Sequence, residues 1–408
     1  MSEYTPNVGL ALVTYRREGA NNSQRYISPL LSIHQTLMEG KAAYDGEVKM
    51  AVIDSSPQPH HAIQMLAADP RLSDRLFYYH IPSRNGLDRD KLNIPKMFAP
   101  TDEEMKDEFF QKNIRKVLAT RPKSAAEFKE IDGKYIYGVD RLPTGKKKDI
   151  AAYKLNEAFE NKMDLLLTID DDDLQHSSYV KEYAEILGTG KYTMARLFNY
   201  PVWLYSTDPD KQFWGIHNLP IQRKGDEVLG MRSDSYNVKI TVAMSGQLSE
   251  KTQDQFYGYT WDTGTNKWDP RMHDGAFHGY TKDSWEYAVR ENGGFPFATQ
   301  GEDVINNTWL RQSMGSKYKI GAVGSKFSYL GVRGSSADNC SNIIIHQPIE
   351  QSDAPQWTNN LIGIINECTL ENSCKMEEYG MDLAHYMLEN FSLPDPGTFK
   401  HAGHDLVF

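Results

Sequence analysis

Cysteine is scarce in this chain of 408 residues: Cys340, Cys368 and Cys374 are the full complement, an odd number. Their spacing fits neither a disulfide framework nor a zinc knuckle, so the functional reading does not draw on cysteine. Long apolar runs are missing as well. No stretch approaches the ~18 consecutive apolar residues of a membrane-crossing helix. The opening MSEYTPNVGLALVTYRRE lacks a basic segment followed by an apolar run and a small-residue cleavage site. A cytoplasmic chain without a transmembrane segment is the expectation. Positive charge is also short: 45 Lys and Arg against 55 Asp and Glu leave a net charge of −10. That balance weighs against an enzyme whose whole surface grips nucleic acid, because neutralising phosphates takes clustered cations. The deficit is uneven. Residues 112–154 hold twelve Lys or Arg against five Asp or Glu, whereas 349–397 hold nine acidic residues with Lys375 as the single base.

What the chain has in abundance is alternation. Val8 to Val13 is an apolar run without period-two patterning, as in a strand covered on both faces, and it stops at Thr14-Tyr15-Arg16. Leu30, Ile33, His34, Leu37 and Met38 then follow at helical spacing before Gly40. Met50 to Ile53 runs into Asp54-Ser55-Ser56-Pro57, and Leu76 to Ile81 is closed by Pro82. Residues 83–135, charged and proline-bearing, read as an insertion. Tyr135 to Val139 restores order, followed by a Thr-Gly-Lys-Lys-Lys loop and a helix with Ala151, Ala152, Leu155, Ala158 and Phe159 on its buried stripe. Leu165 to Ile169 is the most strand-like run, ending directly at Asp170-Asp171-Asp172-Asp173, and a helix over Tyr179 to Leu187 ends at Gly188.

Strands alternating with amphipathic helices predict an α/β fold with a mostly parallel, Rossmann-like sheet flanked by helices. Its ligands lie beyond the carboxyl ends of the strands. The segment 196–300, rich in Trp, Tyr, Gly and Asn, predicts a smaller mixed sheet with long loops. The expected organisation is one large α/β domain over 1–348, interrupted by the 83–135 insertion, and an acidic helical extension over 349–408.

Four successive carboxylates at a strand end repel one another and raise one another's pKa unless something positive sits among them. A hard divalent cation, Mg²⁺ or Mn²⁺, meets that need with one or two carboxylates, substrate phosphates and water. In an extended segment Asp170 and Asp172 share one side, Asp171 and Asp173 the other. A solvated acidic turn is the bland alternative.

The order of these motifs resembles the GT-A glycosyltransferases, specifically the family 2-like group. The resemblance is carried by Leu10-Ala-Leu-Val-Thr-Tyr-Arg-Arg, Val52-Ile-Asp54-Ser-Ser, Ala152-Tyr-Lys-Leu-Asn156-Glu-Ala, Leu166-Leu-Thr-Ile-Asp170-Asp-Asp-Asp, and Gly301-Glu302-Asp303 before Trp309-Leu310-Arg311. It spans roughly residues 7–345. The resemblance implies a nucleotide-sugar donor, most simply a UDP-sugar, contacted by Thr14, Tyr15 and Arg16, with Asp54 on the base. Ser55 replaces the family's usual second acidic residue there. Lys154 and Asn156 stand where the family carries Arg-Asn near the donor. Asp170 and Asp172 fit the two ends of the metal motif, with Asp171 and Asp173 on the donor. Glu302-Asp303 matches the acidic pair that supplies the general base of inverting members, Asp303 first and Glu302 second. His346 is the late histidine offered as a further metal ligand, since the position after Val332-Arg333 is Gly334.

The expected activity is therefore metal-dependent transfer of a sugar to a hydroxyl of a glycan or small-molecule acceptor. One alternative acceptor is a hydroxylated base in DNA or RNA, flipped out of a duplex to react, with Lys112, Arg115, Lys116, Arg121 and Lys123 as the nucleic-acid face. A nucleotidyltransferase is a second alternative, although Gly19 alone does not make a Gly-rich phosphate loop after the first strand. A non-catalytic sugar-binding module is the third.

Overall fold

The first strand, β1 (Val8–Thr14), is buried at every residue, and its side chains divide by parity. Val8, Leu10 and Leu12 enter one core cluster while Ala11 enters a second on the opposite face. Strand β2 (Val48–Asp54) repeats the division, with Val48, Met50 and Val52 on one side and Ala51 and Ile53 on the other. This is the signature of a sheet sandwiched between two helical layers, where both parities must be apolar. The structure, a computed structural model, describes residues 5–15, 24–205, 212–231, 238–244, 247–252, 261–262, 267–268, 278–299, 301–324, 328–334, 343–371 and 376–397.

Between the strands run α1 (Gln24–Ile33), continued by a π-helical turn over His34–Glu39, and α2 (His61–Ala68), which leads to β3 (Leu76–His80). Helix α3 (Glu108–Thr120) lies in the insertion, α4 (Thr144–Ala158) follows it, and β4 (Leu165–Asp170) precedes the short β5 (Leu174–Gln175) and α5 (Tyr179–Leu187). Then come β6 (Met194–Leu197), β7 (Asn199–Tyr205), β8 (Phe213–Asn218), β9 (His278–Thr281), α6 (Lys282–Asn292) and α7 (Glu302–Met314). The chain closes with β10 (Ile320–Val323), β11 (Tyr329–Gly334), β12 (Gln347–Pro348), α8 (Gln356–Glu371) and α9 (Met376–Asn390).

The main sheet has nine strands, ordered Ile221–Lys224, Glu227–Met231, β10, β6, β9, β4, β1, β2, β3. Strands β4, β1, β2 and β3 pair in parallel, as do β10 and β6, and β9 is inserted antiparallel between β4 and β6. The expected mostly parallel α/β sheet flanked by helices is therefore present. A second, mixed sheet of five strands runs β12-β8-β7-β11-β5 and begins directly after the aspartate run.

Small residues let α4 approach the sheet: a Cβ on Gly9 would lie 2.6 Å from Met163 Sδ and 3.2 Å from Leu155. Helices α8 and α9 cover the other face with α1 and α2, so Leu361, Ile362, Ile364, Ile365, Leu383 and Met387 join the same cluster as β1 and β2. The insertion is folded. It contains α3, a 3₁₀ turn and a two-stranded ribbon of Phe128–Ile131 with Lys134–Tyr137. The strand expected at 135–139 thus belongs to this ribbon and not to the main sheet, because its hydrogen bonds are taken by its own hairpin partner. No helix among the described residues is long and apolar enough to cross a membrane.

Candidate active site

Parallel register brings the ends of three strands together: Thr14 pairs with Asp54, and Val13 with Asp170. Chain segments leaving a parallel sheet at its carboxyl rim diverge and leave a crevice there. Asp171 Oδ2 closes one side of it by accepting hydrogen bonds from Thr14 Oγ1 and the Tyr15 amide, both at 2.9 Å. Asp173 points elsewhere, its Oδ1 accepting from the Val332 amide at 2.9 Å, which ties the aspartate run to β11. Asp54 is fully buried and accepts from the Ser56 amide (2.8 Å), the His60 amide (3.2 Å) and the Tyr78 hydroxyl (2.6 Å). Its carboxylate organises the turn after β2.

The lysines facing this rim come from the first turn of α4. Lys146 Nζ donates to Asp149 Oδ2 at 3.0 Å and to the Gly293 carbonyl at 2.7 Å. Lys147 Nζ donates to the Thr14 carbonyl (3.3 Å) and Ser55 Oγ (3.2 Å), joining the loops after β1 and β2. Burial lowers its pKa to about 8, with Asp171 opposing. Lys148 turns the other way. Its ammonium donates to Glu302 Oε1 at 2.9 Å and to both Asp303 oxygens at 3.0 and 3.1 Å, and lies 3.6 Å from Asp170 Oδ1. Burial opposes the charge on Lys148, yet Asp170, Asp303 and Glu302 together hold it well above the ordinary lysine range.

The carboxylates respond in kind. Burial pushes Asp303 well above the usual carboxylate range against the pull of Lys148. Burial also raises Asp170 to about 7, Lys148 again opposing and Glu302, Asp172 and Asp173 adding repulsion. Glu302 and Asp303 open α7, whose N-cap Gly301 has φ +67, a left-handed conformation that costs glycine little. The insertion buttresses this helix: Arg121 packs so closely on Gly301 that a Cβ there would collide with its guanidinium. Trp309 Nε1 donates to Thr120 Oγ1 at 3.2 Å, and Lys116 Nζ sits 4.5 Å from the Trp309 ring centroid. At the rim itself the Arg141 guanidinium lies 4.3 Å over the Tyr15 ring.

The structure gathers Thr14, Tyr15, Asp54, Asp170, Asp171, Glu302 and Asp303 at the carboxyl rim of the sheet. It does not gather Lys154, Asn156 or His346. Lys154 Nζ pairs with Glu157 at 2.7 Å, and Asn156 Nδ2 donates to Asn161 at 3.0 Å, both toward the far end of α4. At 1.5 Å per residue the helix carries them on the order of 10 Å from the turn that faces the rim. His346 accepts from the Asn218 amide at 3.0 Å beside β12, the opposite edge of the second sheet from β5. Arg16 lies outside the described residues.

Lys147 and Lys148 are what sequence reasoning missed. Three successive cations oppose the positive end of a helix dipole, so they read as loop. In the structure they lie at the start of the helix, where Asp149 pairs with Lys146, Glu302, Asp303 and Asp170 surround Lys148, and Lys147 donates to Thr14 and Ser55. The usable signal was their position one turn ahead of the Ala151, Ala152 and Leu155 stripe.

A divalent cation fits this rim as half a site. Among the described residues no three His, Cys, Asp or Glu side chains are arranged to hold a metal ion. Mg²⁺ or Mn²⁺ needs only one or two protein carboxylates when phosphates complete its shell. Asp170, 25% exposed and crowded by like charges, supplies hard oxygen donors of that kind.

No protein-family model and no curated protein matches the chain. Among solved structures it is similar to residues 1–349 of S. aureus TarS, at 9% identity and a TM-score of 0.34, over 95% of this chain and 73% of that one. It is also similar to the same TarS fragment in complex with UDP-GlcNAc (10% identity, TM-score 0.36, 94% and 75% covered). The fragment in complex with UDP gives 9% identity and a TM-score of 0.34, with 98% and 100% covered.

Proposed function

We propose that the chain is an inverting, metal-dependent glycosyltransferase that moves a sugar from a UDP-sugar to a hydroxyl of a glycan or small-molecule acceptor. The observation that supports this best is the convergence of Asp170 from β4 and Glu302 and Asp303 from α7 on one ammonium, Lys148, at the carboxyl rim of the sheet. A donor lying over the rim meets Tyr15 and the cations Arg141 and Lys147 on one wall and the acidic pair on the other. In the reaction the acceptor oxygen bonds to the anomeric carbon as the bond from that carbon to the diphosphate oxygen breaks. Asp303 takes the acceptor proton, a transfer helped by a carboxylate whose affinity for protons is raised by burial. Lys148 stabilises the pair before the transfer and orients it. The leaving diphosphate carries the negative charge away beside Lys147. Asp170 and Asp172 are the residues that would hold Mg²⁺ or Mn²⁺ together with the donor's phosphates, and the ion would supply Lewis-acid neutralisation of the leaving group.

The test is a thermal-shift series with nucleoside diphosphates, with and without Mn²⁺, followed by donor hydrolysis. Stabilisation by UDP that grows with Mn²⁺ is expected. Asp303→Asn should keep it while losing about 10²–10⁴-fold in turnover, the usual worth of a general base. Absence of stabilisation by any nucleoside diphosphate, with or without metal, would refute the donor assignment.

A further inference from the structure

We infer that Lys148 is the built-in counter-ion of Asp170, so that a divalent cation is admitted only together with the donor's phosphates. This rests on the reading of the rim as a nucleotide-sugar site and concerns how that site is loaded. The geometry has three parts. The Lys148 side chain is fully buried near the start of a helix packed on β1 and β2, with its ammonium among carboxylates. Its contacts are unequal: 2.9 to 3.1 Å to Glu302 and Asp303, but 3.6 Å to Asp170. The aspartate run is partly committed elsewhere, Asp171 to Thr14 and Tyr15 and Asp173 to Val332.

An ion arriving alone at Asp170 therefore meets a resident ammonium already sharing that carboxylate, and among the described residues finds too few protein oxygens to repay the loss of its bound waters. A nucleoside diphosphate changes both conditions. Its oxygens supply the missing ligands, and its negative charge offsets the second cation. Lys148 then relaxes along its longest contact, giving up Asp170 while remaining on Glu302 and Asp303. Loading of metal and donor becomes a joint event, and the acidic pair keeps its ammonium throughout.

The experiment is Mn²⁺ binding to the full chain by titration calorimetry, with and without UDP. Wild type is expected to bind Mn²⁺ weakly alone and far more tightly with UDP. Lys148→Met should bind Mn²⁺ without UDP at least about tenfold more tightly than wild type, as removal of a neighbouring cation dictates. The double variant K148M/D170N should lose that gain. Lys148→Gln, which retains hydrogen bonds to the acidic pair, is the second variant should the methionine protein fail to fold. Equal Mn²⁺ affinity in wild type and the folded Lys148 variant overturns the inference, as does a wild type that binds Mn²⁺ as tightly without UDP as with it. If UDP never binds, the donor reading fails separately, while the gain in Mn²⁺ affinity on removing Lys148 still decides the counter-ion role.

Discussion

His34 shows how one buried side chain ties stability to pH. Its ring is 1% exposed in the π-helical turn after α1, and burial lowers its pKa to about 4, a backbone contact to Phe391 opposing. Glu39, 3.9 Å away and half in solvent, does not offset that burial. The folded protein therefore keeps His34 neutral where the unfolded chain would protonate it. This contribution is complete above the unfolded value of 6.5 and is lost as pH falls toward 4. The slope it adds is at most roughly 1.4 kcal/mol per pH unit. His34→Gln should flatten the decline in denaturant-measured stability over that interval, and an unchanged decline would show that other groups cause it.

Among the secondary elements, α4 decides the site. Its Gly145 sits against the Pro296 carbonyl, with which an added Cβ would collide, and that Cβ would also lie 3.4 Å from Glu302 Cβ. Gly145→Ala should force α4 and the segment before α7 apart at a cost of about 1–3 kcal/mol, the range for overpacking a filled site. The loss should appear both in the urea midpoint and in donor turnover. A variant as stable and active as wild type would show that the contact yields freely.

The sequence made β1, β2 and β4 readable because strands buried on both faces are apolar at both parities, and the acidic run was visible where β4 stops. Asp54 was legible as a residue at a strand end, but not its engagement with Ser56, His60 and Tyr78, which come from positions 2 to 24 residues away. Lys154-Leu155-Asn156 drew attention by likeness to a motif, although its helix points its other end at the rim. Lys148 was invisible for a physical reason: three of its partners arrive through tertiary packing, and two of them lie 154 and 155 residues downstream.

At the scale of the whole molecule, the acidic C-terminal segment is part of the structural core. Leu361, Ile362, Ile364, Ile365, Leu383, Ala384 and Met387 are each no more than 2% exposed and share one cluster with β1, β2 and α1. Exposing such a set costs on the order of 10 kcal/mol at about 1.5–3 kcal/mol per large side chain. That is comparable to the roughly 5–15 kcal/mol by which whole domains are stable. A chain ended at residue 348 should fail to give a cooperative unfolding transition by circular dichroism. A truncated protein that melts cooperatively near the wild-type temperature would show that the helices are an appendage.

Neighbouring positions on a helix point about 100° apart. That spacing lets Lys147 tie the loops after β1 and β2 while Lys148, one peptide on, holds the acidic pair. The division of labour is therefore a matter of phase. Adding a single amino acid between Pro143 and Lys146 would hand the post of Lys147 to Lys146 and that of Lys148 to Lys147 without removing any chemical group, so natural length variation in this stretch should be confined to the loop ahead of Pro143.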